Sequence, residues 1–256
     1  MGLEPKKRNS AKSSWKHSKS EDSPKRLRIF HGTCEVSDMN YDDKKLYTFL
    51  RGAASVAELP QTLIALPYAR EQHKNQCRNS GEPYITHPLM LACHLCALSD
   101  KKDKEYLDVL LASALLHDVC EDCGKSVAEL PVSKEVQYIV RLLTFNVLPG
   151  ETKETAKARY YRDIANSRAA TTVKLIDRCN NVSTMAGPFT SERMKKYVDE
   201  TKEYILPLLE GAMIRYPQDS NQFFILKYHI TSLMDFAERC LMDEVVRKFM
   251  DTDSPK

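Results

Sequence analysis

The apolar helix predicted over residues 107–116 runs directly into a cluster of ionisable side chains. The members of the cluster are His117, Asp118, Glu121 and Asp122. Because residues four positions apart share a helix face, His117 is expected beside Glu121, and Asp118 beside Asp122. Charged groups at the end of a buried helix are costly to desolvate unless they are paired or bind a metal ion. An imidazole next to carboxylates is typical of a divalent-cation site.

Two other segments carry polar side chains of the same kind. Residues 73–88 are predicted to run from a helix through a glycine-containing turn to His87, which stands directly before a proline. Further along the chain Asp177 follows an apolar run, and Asn181 and Thr184 come four and seven residues later. This spacing places the three side chains on one helix face.

The three segments together resemble the H…HD…D signature of the HD superfamily of metal-dependent phosphohydrolases. Their sequences are RNSGEPYITHP, LLHDVCED and VKLIDRCNN. These words are similar to those of the hydrolase domain of RelA/SpoT-type alarmone enzymes, and the resemblance extends from about residue 41 to residue 209. Three motifs in the correct order and spacing are much more specific than a single His-Asp pair.

The resemblance implies one divalent ion, typically manganese, held by His87, His117, Asp118 and Asp177. It also implies that Glu121 and Asp122 are the catalytic acidic pair. In such a site the ion lowers the pKa of a bound water and neutralises phosphate charge, while a carboxylate orients the water or accepts its proton. The competing interpretation is that His87 is a capped loop histidine and that His117, Asp118 and Asp177 are helix-end polar groups that satisfy one another. Glu121 and Asp122 would then be a solvated helix terminus.

Four residues match positions that the family uses to contact a guanosine nucleotide: Arg78, Ser80, Asn181 and Thr184. Arginine suits this role because its planar cation can stack on a base or make paired hydrogen bonds to a phosphate. For Arg78 the alternative is a structural ion pair with Glu82. His73 and Gln76, which precede Arg78, are expected to brace the site.

The activity that the resemblance implies is removal of the 3′-pyrophosphate from guanosine tetra- or pentaphosphate. The chain departs from the family pattern at three positions: Asn79 replaces a common lysine, Asn180 replaces a common histidine, and Phe145 follows Thr144 where lysine is common. The alternatives are an HD phosphohydrolase for another nucleotide or dinucleotide phosphate, and a non-catalytic nucleotide sensor. The chain ends before the family's nucleotide-synthesising domain, which predicts hydrolysis without synthetase activity.

The cysteines offer a different metal site as an alternative. The chain contains two C-x-x-C pairs, Cys93 with Cys96 and Cys120 with Cys123. Together they loosely resemble a four-thiolate zinc site. The first pair, however, lies in an apolar helical run without the turn glycines of a zinc knuckle, and free cysteine is often buried. Buried thiols are therefore expected, and His94 between the first pair is expected to be a core histidine.

The elements that position these residues are predicted to be helices, because apolar side chains recur at three- and four-residue steps and glycine is rare, with 8 in 256 residues. The predicted fold is an all-α HD-domain helical bundle over residues 41–250, with a motif core at about 68–210 and a C-terminal helical hairpin at about 190–250. The hairpin is expected to turn near Tyr216-Pro217. Its two apolar stripes are Met194, Val198, Ile205 and Leu208, then Leu226, Ile230, Leu233, Ala237 and Cys240.

The first 40 residues are predicted to be a disordered basic tail. Residues 1–28 contain nine Lys or Arg against three acidic residues, a charge of +6, so the other residues sum to −3 for the total of +3. A nearly neutral body excludes bulk attraction to polyanions as its function, although the tail could make weak nucleic-acid or nuclear-import contacts. With no apolar run near the roughly 18 residues of a membrane span and no signal peptide, a cytoplasmic, membrane-free location is expected.

Overall fold

The computed structural model describes residues 42–100, 102–185 and 188–252, with side chains up to residue 243. The predicted tail of residues 1–40 lies outside the described residues. The described residues form helices joined by turns, together with one isolated β-bridge between Cys77 and Pro83. The predicted all-α class is therefore confirmed.

The α-helices follow one another along the chain with short connections. In order they are α1 (Asp43–Ala57), α2 (Pro60–Gln72), α3 (Thr86–Leu98), α4 (Lys104–Leu116), α5 (Val119–Asp122), α6 (Lys134–Leu143), α7 (Lys153–Ala165), α8 (Arg168–Thr184), α9 (Ser191–Glu200), α10 (Leu206–Arg215) and α11 (Ser220–Thr252). Short 3₁₀ turns occupy Val127–Glu129 and Pro217–Asp219. A π-helical turn, Thr201–Ile205, joins α9 to α10.

Polar side chains at the helix starts explain where many of these helices begin. Each accepts a hydrogen bond from a backbone N–H in the first turn, as N-cap residues do. They are Asp42, Asp103, Ser133, Thr152, Ser167 and Thr190. Helix α2 is capped from a distance, because the buried carboxylate of Asp108 on α4 accepts bonds from the amides of Gln61 and Thr62 at 2.9 and 2.7 Å.

Helices α4 and α8 form the centre of the bundle. Every residue of α4 from Leu107 to Leu116 is buried, and α4 packs against α2, α3, α6 and α8. Helix α8 also packs against α3, α7, α10 and α11. A fully buried leucine stabilises the fold by about 1.5–3 kcal/mol, so this packing fixes the ends of α4 and α8, where the ionisable residues lie.

The two C-terminal stripes agree with the predicted faces except at the end of the chain. Met194, Val198, Ile205 and Leu208 are all buried. In α11 the buried face consists of Phe223, Leu226, Ile230, Met234 and Ala237. Leu233 is half-buried, and the prediction of a buried Cys240 is wrong, since this residue is exposed. The contacting face continues at Leu241, and one residue along a helix rotates the side chain by about 100°.

No helix among the described residues is both long enough and apolar enough to cross a membrane.

Candidate metal centre

Three buried side chains from different parts of the chain converge on one point. His87 lies in the first turn of α3, His117 directly follows α4, and Asp177 lies within α8. One ligand atom from each lies within 4.8 Å of the others. The Nε2 atoms of His87 and His117 are 3.2 and 3.9 Å from Oδ1 of Asp177.

Asp118 adds a second carboxylate to the same place. Its Oδ2 atom is 2.9 Å from His117 Nε2 and 3.7 Å from His87 Nε2. Metal–ligand bonds of about 2.0–2.2 Å place neighbouring ligand atoms roughly 3 Å apart when they meet the ion at right angles. The spacing of His87, His117 and Asp177 therefore fits a common divalent ion, and Asp118 lies beside the two histidines.

The two imidazole rings are oriented by hydrogen bonds from their other nitrogen. His87 Nδ1 donates to Asn180 Oδ1 at 2.7 Å, and His117 Nδ1 donates to the carbonyl oxygen of Ala114 at 2.9 Å. Both Nε2 atoms are thereby left with a lone pair for a metal ion. Although His117 Nε2 lies close to Asp118, it is buried without a hydrogen bond of normal geometry, and a bound cation would satisfy it.

The charges at the centre favour a cation. Burial lowers the pKa of His117, but the carboxylates of Asp118 and Asp177 outweigh it and raise the pKa to about 9. Burial raises the pKa of Asp177, yet Lys174 and the two histidines hold it well below its usual value. Against the effect of burial, the neighbouring His117 lowers the pKa of Asp118 as well, so both aspartates are ionised, and protonated His117 compensates their charge when no metal ion does so.

Tyr84 and Lys174 support the carboxylates and were missed by the sequence prediction. The Tyr84 hydroxyl donates to Asp118 Oδ2 at 2.6 Å, and Lys174 Nζ lies 2.9 Å from Asp177 Oδ2. Each residue stands three positions before a predicted ligand, Tyr84 before His87 and Lys174 before Asp177. That spacing inside the recognised motifs was a signal that could have found them.

The expected bracing role of His73 and Gln76 has a clear geometry. The buried His73 ring stacks on Tyr84 at 4.8 Å between centroids, and its Nδ1 atom is 2.7 Å from Gln76 Oε1. Gln76 Nε2 donates to the carbonyl oxygen of Asp122 at 3.0 Å. These contacts connect the turn before α3 with α5 and hold Tyr84 against Asp118.

A glycine turn places Arg78 beside the centre. Gly81 has φ +87°, a conformation that favours glycine, and its amide donates to the carbonyl oxygen of Arg78 at 2.9 Å. The guanidinium donates to the side-chain oxygens of Asn180 at 3.2 Å, Asn181 at 2.9 Å and Thr184 at 3.4 Å.

Three of the four predicted substrate-binding residues are thus brought together: Arg78, Asn181 and Thr184. The fourth, Ser80, lies exposed in the turn. Among the described ion pairs there is none between Arg78 and Glu82, so the alternative of a structural ion pair is not supported. Asn180, which replaces a common histidine, contacts both His87 and Arg78 and so links the metal centre to the nucleotide residues.

The two predicted catalytic carboxylates adjoin the centre but have different surroundings. Glu121 accepts a hydrogen bond from the amide of Phe145 and lines a cavity together with His117, Asp118 and Asp177. Burial raises the pKa of Glu121 above its usual value, against the opposing effect of the Phe145 amide. Both residues are exposed in α5, and the carbonyl group of Asp122 accepts the hydrogen bond from Gln76.

The cysteines do not assemble into the alternative zinc site. Within the described part of the chain, the metal-ligand group that forms is the one of His87, His117 and Asp177. Cys96 is buried and Cys93, Cys120 and Cys123 are half-buried free thiols. His94 is half-buried, so its expected place in the core is only partly met.

Known proteins resemble this chain over about half of its length. No family model matches it. It is 36% identical over 155 residues to the bifunctional (p)ppGpp synthase/hydrolase SpoT of Escherichia coli, a match that covers 55% of this chain and 20% of that protein. It is 34% identical over 155 residues to the guanosine-3′,5′-bis(diphosphate) 3′-pyrophosphohydrolase of Aquifex aeolicus, covering 56% and 20% of the two chains. The chain therefore spans about a fifth of the length of these curated relatives.

A solved structure has the same fold. It belongs to a metazoan ortholog of SpoT that hydrolyses ppGpp and plays a role in starvation responses. The TM-score is 0.52 at 24% sequence identity, and the match covers 71% of this chain and 96% of the other. The likeness shows that the two proteins share a helical fold. The resemblance to RelA/SpoT-type hydrolases, predicted from three short motifs, is confirmed by these matches.

Proposed function

We propose that this protein is a metal-dependent phosphohydrolase that removes the 3′-diphosphate from guanosine tetra- or pentaphosphate. The observation that carries the proposal is the convergence of the buried side chains of His87, His117 and Asp177 with the half-buried Asp118, with Arg78 held beside them. Named relatives with this activity, at 34–36% identity, support the same substrate class. A binding module that only senses a nucleotide does not need a cation centre with a carboxylate beside it, as Glu121 is here, to accept a proton from water.

We infer that the four ligand residues hold one divalent ion, and that the ion is manganese. Two imidazoles and two carboxylates suit manganese, iron or zinc. When bound, such an ion stabilises negative charge on a phosphate oxygen and lowers the pKa of water. His87 and His117 act as neutral ligands through Nε2, because each keeps its proton on Nδ1.

The other residues position the substrate and move protons. Glu121 accepts a proton from the attacking water, since it lines the cavity beside Asp118 and Asp177 and the Phe145 amide fixes its orientation. Asp122, one residue further, assists in the same acid-base chemistry. Arg78, Ser80, Asn181 and Thr184 bind the guanosine nucleotide, and the planar Arg78 guanidinium is oriented for this by its three side-chain acceptors.

A nucleotide panel tests the proposed activity. Purified protein supplied with manganese is incubated separately with guanosine tetraphosphate, guanosine triphosphate and a dinucleotide phosphate, and the products are identified by chromatography. The proposal expects turnover of the tetraphosphate. Turnover of the other compounds alone would assign another nucleotide substrate, with Asn79 and Asn180 as the first residues to examine. No turnover with any metal would favour the nucleotide sensor.

We also propose a catalytic domain over residues 41–250 and a cytoplasmic location, with the basic tail of residues 1–40 as a weak contact to nucleic acid or to the nuclear-import machinery. Fluorescent fusions of the full chain and of residues 41–256 would test the location. Nuclear signal that requires the tail would assign it an import role, and identical distributions would exclude one.

A further inference from the structure

A cavity of about 320 Å³ opens from the metal centre between α6, α7 and α8. Its volume corresponds to about ten water molecules. His117, Asp118 and Asp177 border it at the centre, while Lys157 and Glu200 border its far side. Of the residues that line this cavity, the proposed function assigns roles only to Glu121 and to the three ligand residues.

The cavity lining contains none of the predicted nucleotide-binding residues. Arg78 reaches the centre from the His87 side, with its Nη1 atom 3.5 Å from His87 Nδ1. The described lining of the cavity contains His117 but not His87, and it includes neither Arg78 nor Asn181. A phosphate chain anchored at the centre therefore extends away from the nucleoside contacts when it enters the cavity.

Three lysines give the cavity its cationic side: Lys153 and Lys157 on α7 and Lys174 on α8. They face four carboxylates, those of Asp118, Glu121, Asp177 and Glu200. Three positive and four negative charges leave a net charge of −1, which becomes +1 when the centre holds a divalent ion. The cavity consequently suits an anion that is bound to the ion as well.

Lys157 is positioned so that its ammonium group can bind such an anion. Its Nζ atom is 2.5 Å from Glu200 Oε2, and the other oxygen of Glu200 accepts bonds from Arg178 at 2.7 Å and from Tyr161 at 3.3 Å. The buried Arg178 already balances the charge of Glu200. A lysine ammonium has three donors, so Lys157 keeps donors for a second anion. Lys153 is exposed and has no ion pair among the described residues.

We propose that Lys157, assisted by Lys153, binds the terminal phosphate of the 3′-diphosphate and so selects 3′-diphosphates over 3′-monophosphates. This inference rests on the proposed function. In the reaction, the water oxygen bonds to the phosphorus attached to O3′, and the bond from that phosphorus to O3′ breaks. One water proton goes to Glu121 and from there to O3′ of the departing guanosine diphosphate, and the other water proton stays on the diphosphate. Diphosphate is released from the lysine side of the cavity.

The first test measures binding without turnover. Inorganic diphosphate and orthophosphate are titrated calorimetrically into the manganese-loaded protein and into Lys157→Gln, Lys157→Arg and Lys202→Gln. Lys202 is the matched control, because it pairs with Glu238 at 2.5 Å and does not line the cavity. We expect Lys157→Gln to weaken diphosphate binding ten-fold or more, Lys157→Arg to restore most of it, and orthophosphate to change little. Unchanged diphosphate binding in Lys157→Gln would overturn the proposal.

The second test identifies which end of the nucleotide the lysine contacts. Hydrolysis of guanosine 5′-diphosphate 3′-diphosphate is compared with that of the 5′-monophosphate 3′-diphosphate and the 5′-diphosphate 3′-monophosphate. Lys157→Gln should raise KM for both 3′-diphosphates and leave the 3′-monophosphate unaffected. Loss confined to the two 5′-diphosphates would place the 5′ end in the cavity and contradict the proposal.

The two proposals fail in different ways. If the wild-type protein hydrolyses none of these nucleotides, the proposed function fails, while the calorimetric comparison still decides whether Lys157 binds a diphosphate. Should Lys157→Gln lose its metal or its helical circular dichroism, Lys153→Gln takes its place. We expect that exposed substitution to weaken diphosphate binding at least three-fold, and unchanged binding there would also overturn the proposal.

Discussion

Asn180 illustrates how much of this site depends on single side chains. Its carbonyl oxygen accepts a hydrogen bond from His87 Nδ1 at 2.7 Å and another from Arg78 Nη1 at 3.2 Å. It thus fixes which nitrogen of His87 faces the centre and at the same time orients Arg78, a predicted substrate-binding residue. The replacement of the common histidine by asparagine keeps a polar contact at this point.

Loss of a ligand side chain should abolish metal binding. His117→Ala and Asp177→Ala each remove one donor atom from the centre and leave the others with uncompensated charge, so we expect loss of the stoichiometric ion and of activity. Metal content after gel filtration, measured by elemental analysis, checks this. Cys93→Ser is the control and should retain the ion. One ion per chain in either alanine variant would contradict the assignment.

The catalytic carboxylates should act on turnover and not on metal binding. Glu121→Gln and Asp122→Asn keep the shape of the side chain but remove the proton acceptor. We expect kcat to fall by about 10²- to 10⁴-fold, the usual range for general acid-base catalysis, with metal content unchanged. Steady-state kinetics at saturating manganese measures the effect. Full activity in both variants would assign the base to another residue.

Tyr84 should contribute to metal affinity through Asp118. Tyr84→Phe removes the 2.6 Å hydrogen bond to Asp118 Oδ2 and keeps the ring that stacks on His73. Loss of such a supporting contact typically weakens metal binding by about 10- to 100-fold. Manganese titration followed by electron paramagnetic resonance measures the dissociation constant. Tyr138→Phe, a change at an exposed tyrosine on α6, is the control, and equal affinities in all three proteins would refute the role.

Among the elements, α4 and α8 determine the site, and their roles could be predicted from the sequence. The buried run of α4, apolar except for Asp108 and Ser113, ends at Leu116, so the side chains of His117 and Asp118 follow where the buried helix stops. The step from Asp177 to Asn181 also predicted a shared face, and the two side chains are hydrogen-bonded at 2.6 Å. Local periodicity was sufficient in both cases because each relation lies within one helix or at its end.

Relations between elements were not predictable in this way. The pairing of Lys157 with Glu200 connects α7 to the end of α9, 43 residues later. The spacing of apolar residues did not predict the π-helical turn directly after Glu200. Val198 and Ile205 are seven residues apart in the sequence, and this spacing does not distinguish an α-helix from a π-helical turn. Such features depend on how helices cross, which a single sequence does not specify.

The Glu200 network should stabilise the junction of α7, α8 and α9 in a pH-dependent manner. Burial raises the pKa of Glu200, but Lys157 and Arg178 outweigh it and lower the pKa from 4.5 to about 2. A carboxyl whose folded-state pKa is lowered contributes stability above its unfolded-state pKa and loses it as pH falls towards the folded value. At about 1.4 kcal/mol per pKa unit, the contribution near pH 7 is about 3 kcal/mol.

Glu200→Gln should therefore be less stable than the wild type by about 2–3 kcal/mol at pH 7, and the difference should shrink as pH falls below about 4.5. Urea unfolding of the metal-free proteins between pH 7 and pH 3 measures both free energies. Glu192→Gln is the control, because Glu192 is exposed and, among the described residues, its ion pair is with Lys196. A difference that stays constant over this pH range would contradict the linkage.

At the scale of the whole molecule, the described helices surround the candidate centre. Arg78 lies beside His87, and the lysine-lined cavity is bordered by His117. The fold class and the cluster of His87, His117 and Asp177 were predicted from the sequence, whereas the cavity was not, because its lining comes from α6, α7, α8 and α9 together. Of its three lysines, Lys174 lies within a recognised motif, VKLIDRCNN, whereas Lys153 and Lys157 do not.

Metal titration combined with product identification tests the proposed metal-dependent hydrolysis most directly. Manganese is added stepwise to metal-free protein, and guanosine tetraphosphate is supplied at each step. We predict that guanosine diphosphate and inorganic diphosphate appear in equal amounts, and that the rate of hydrolysis reaches a plateau at one ion per chain. Full activity of the metal-free protein, or no release of diphosphate at any manganese concentration, would contradict the proposed metal-dependent hydrolysis.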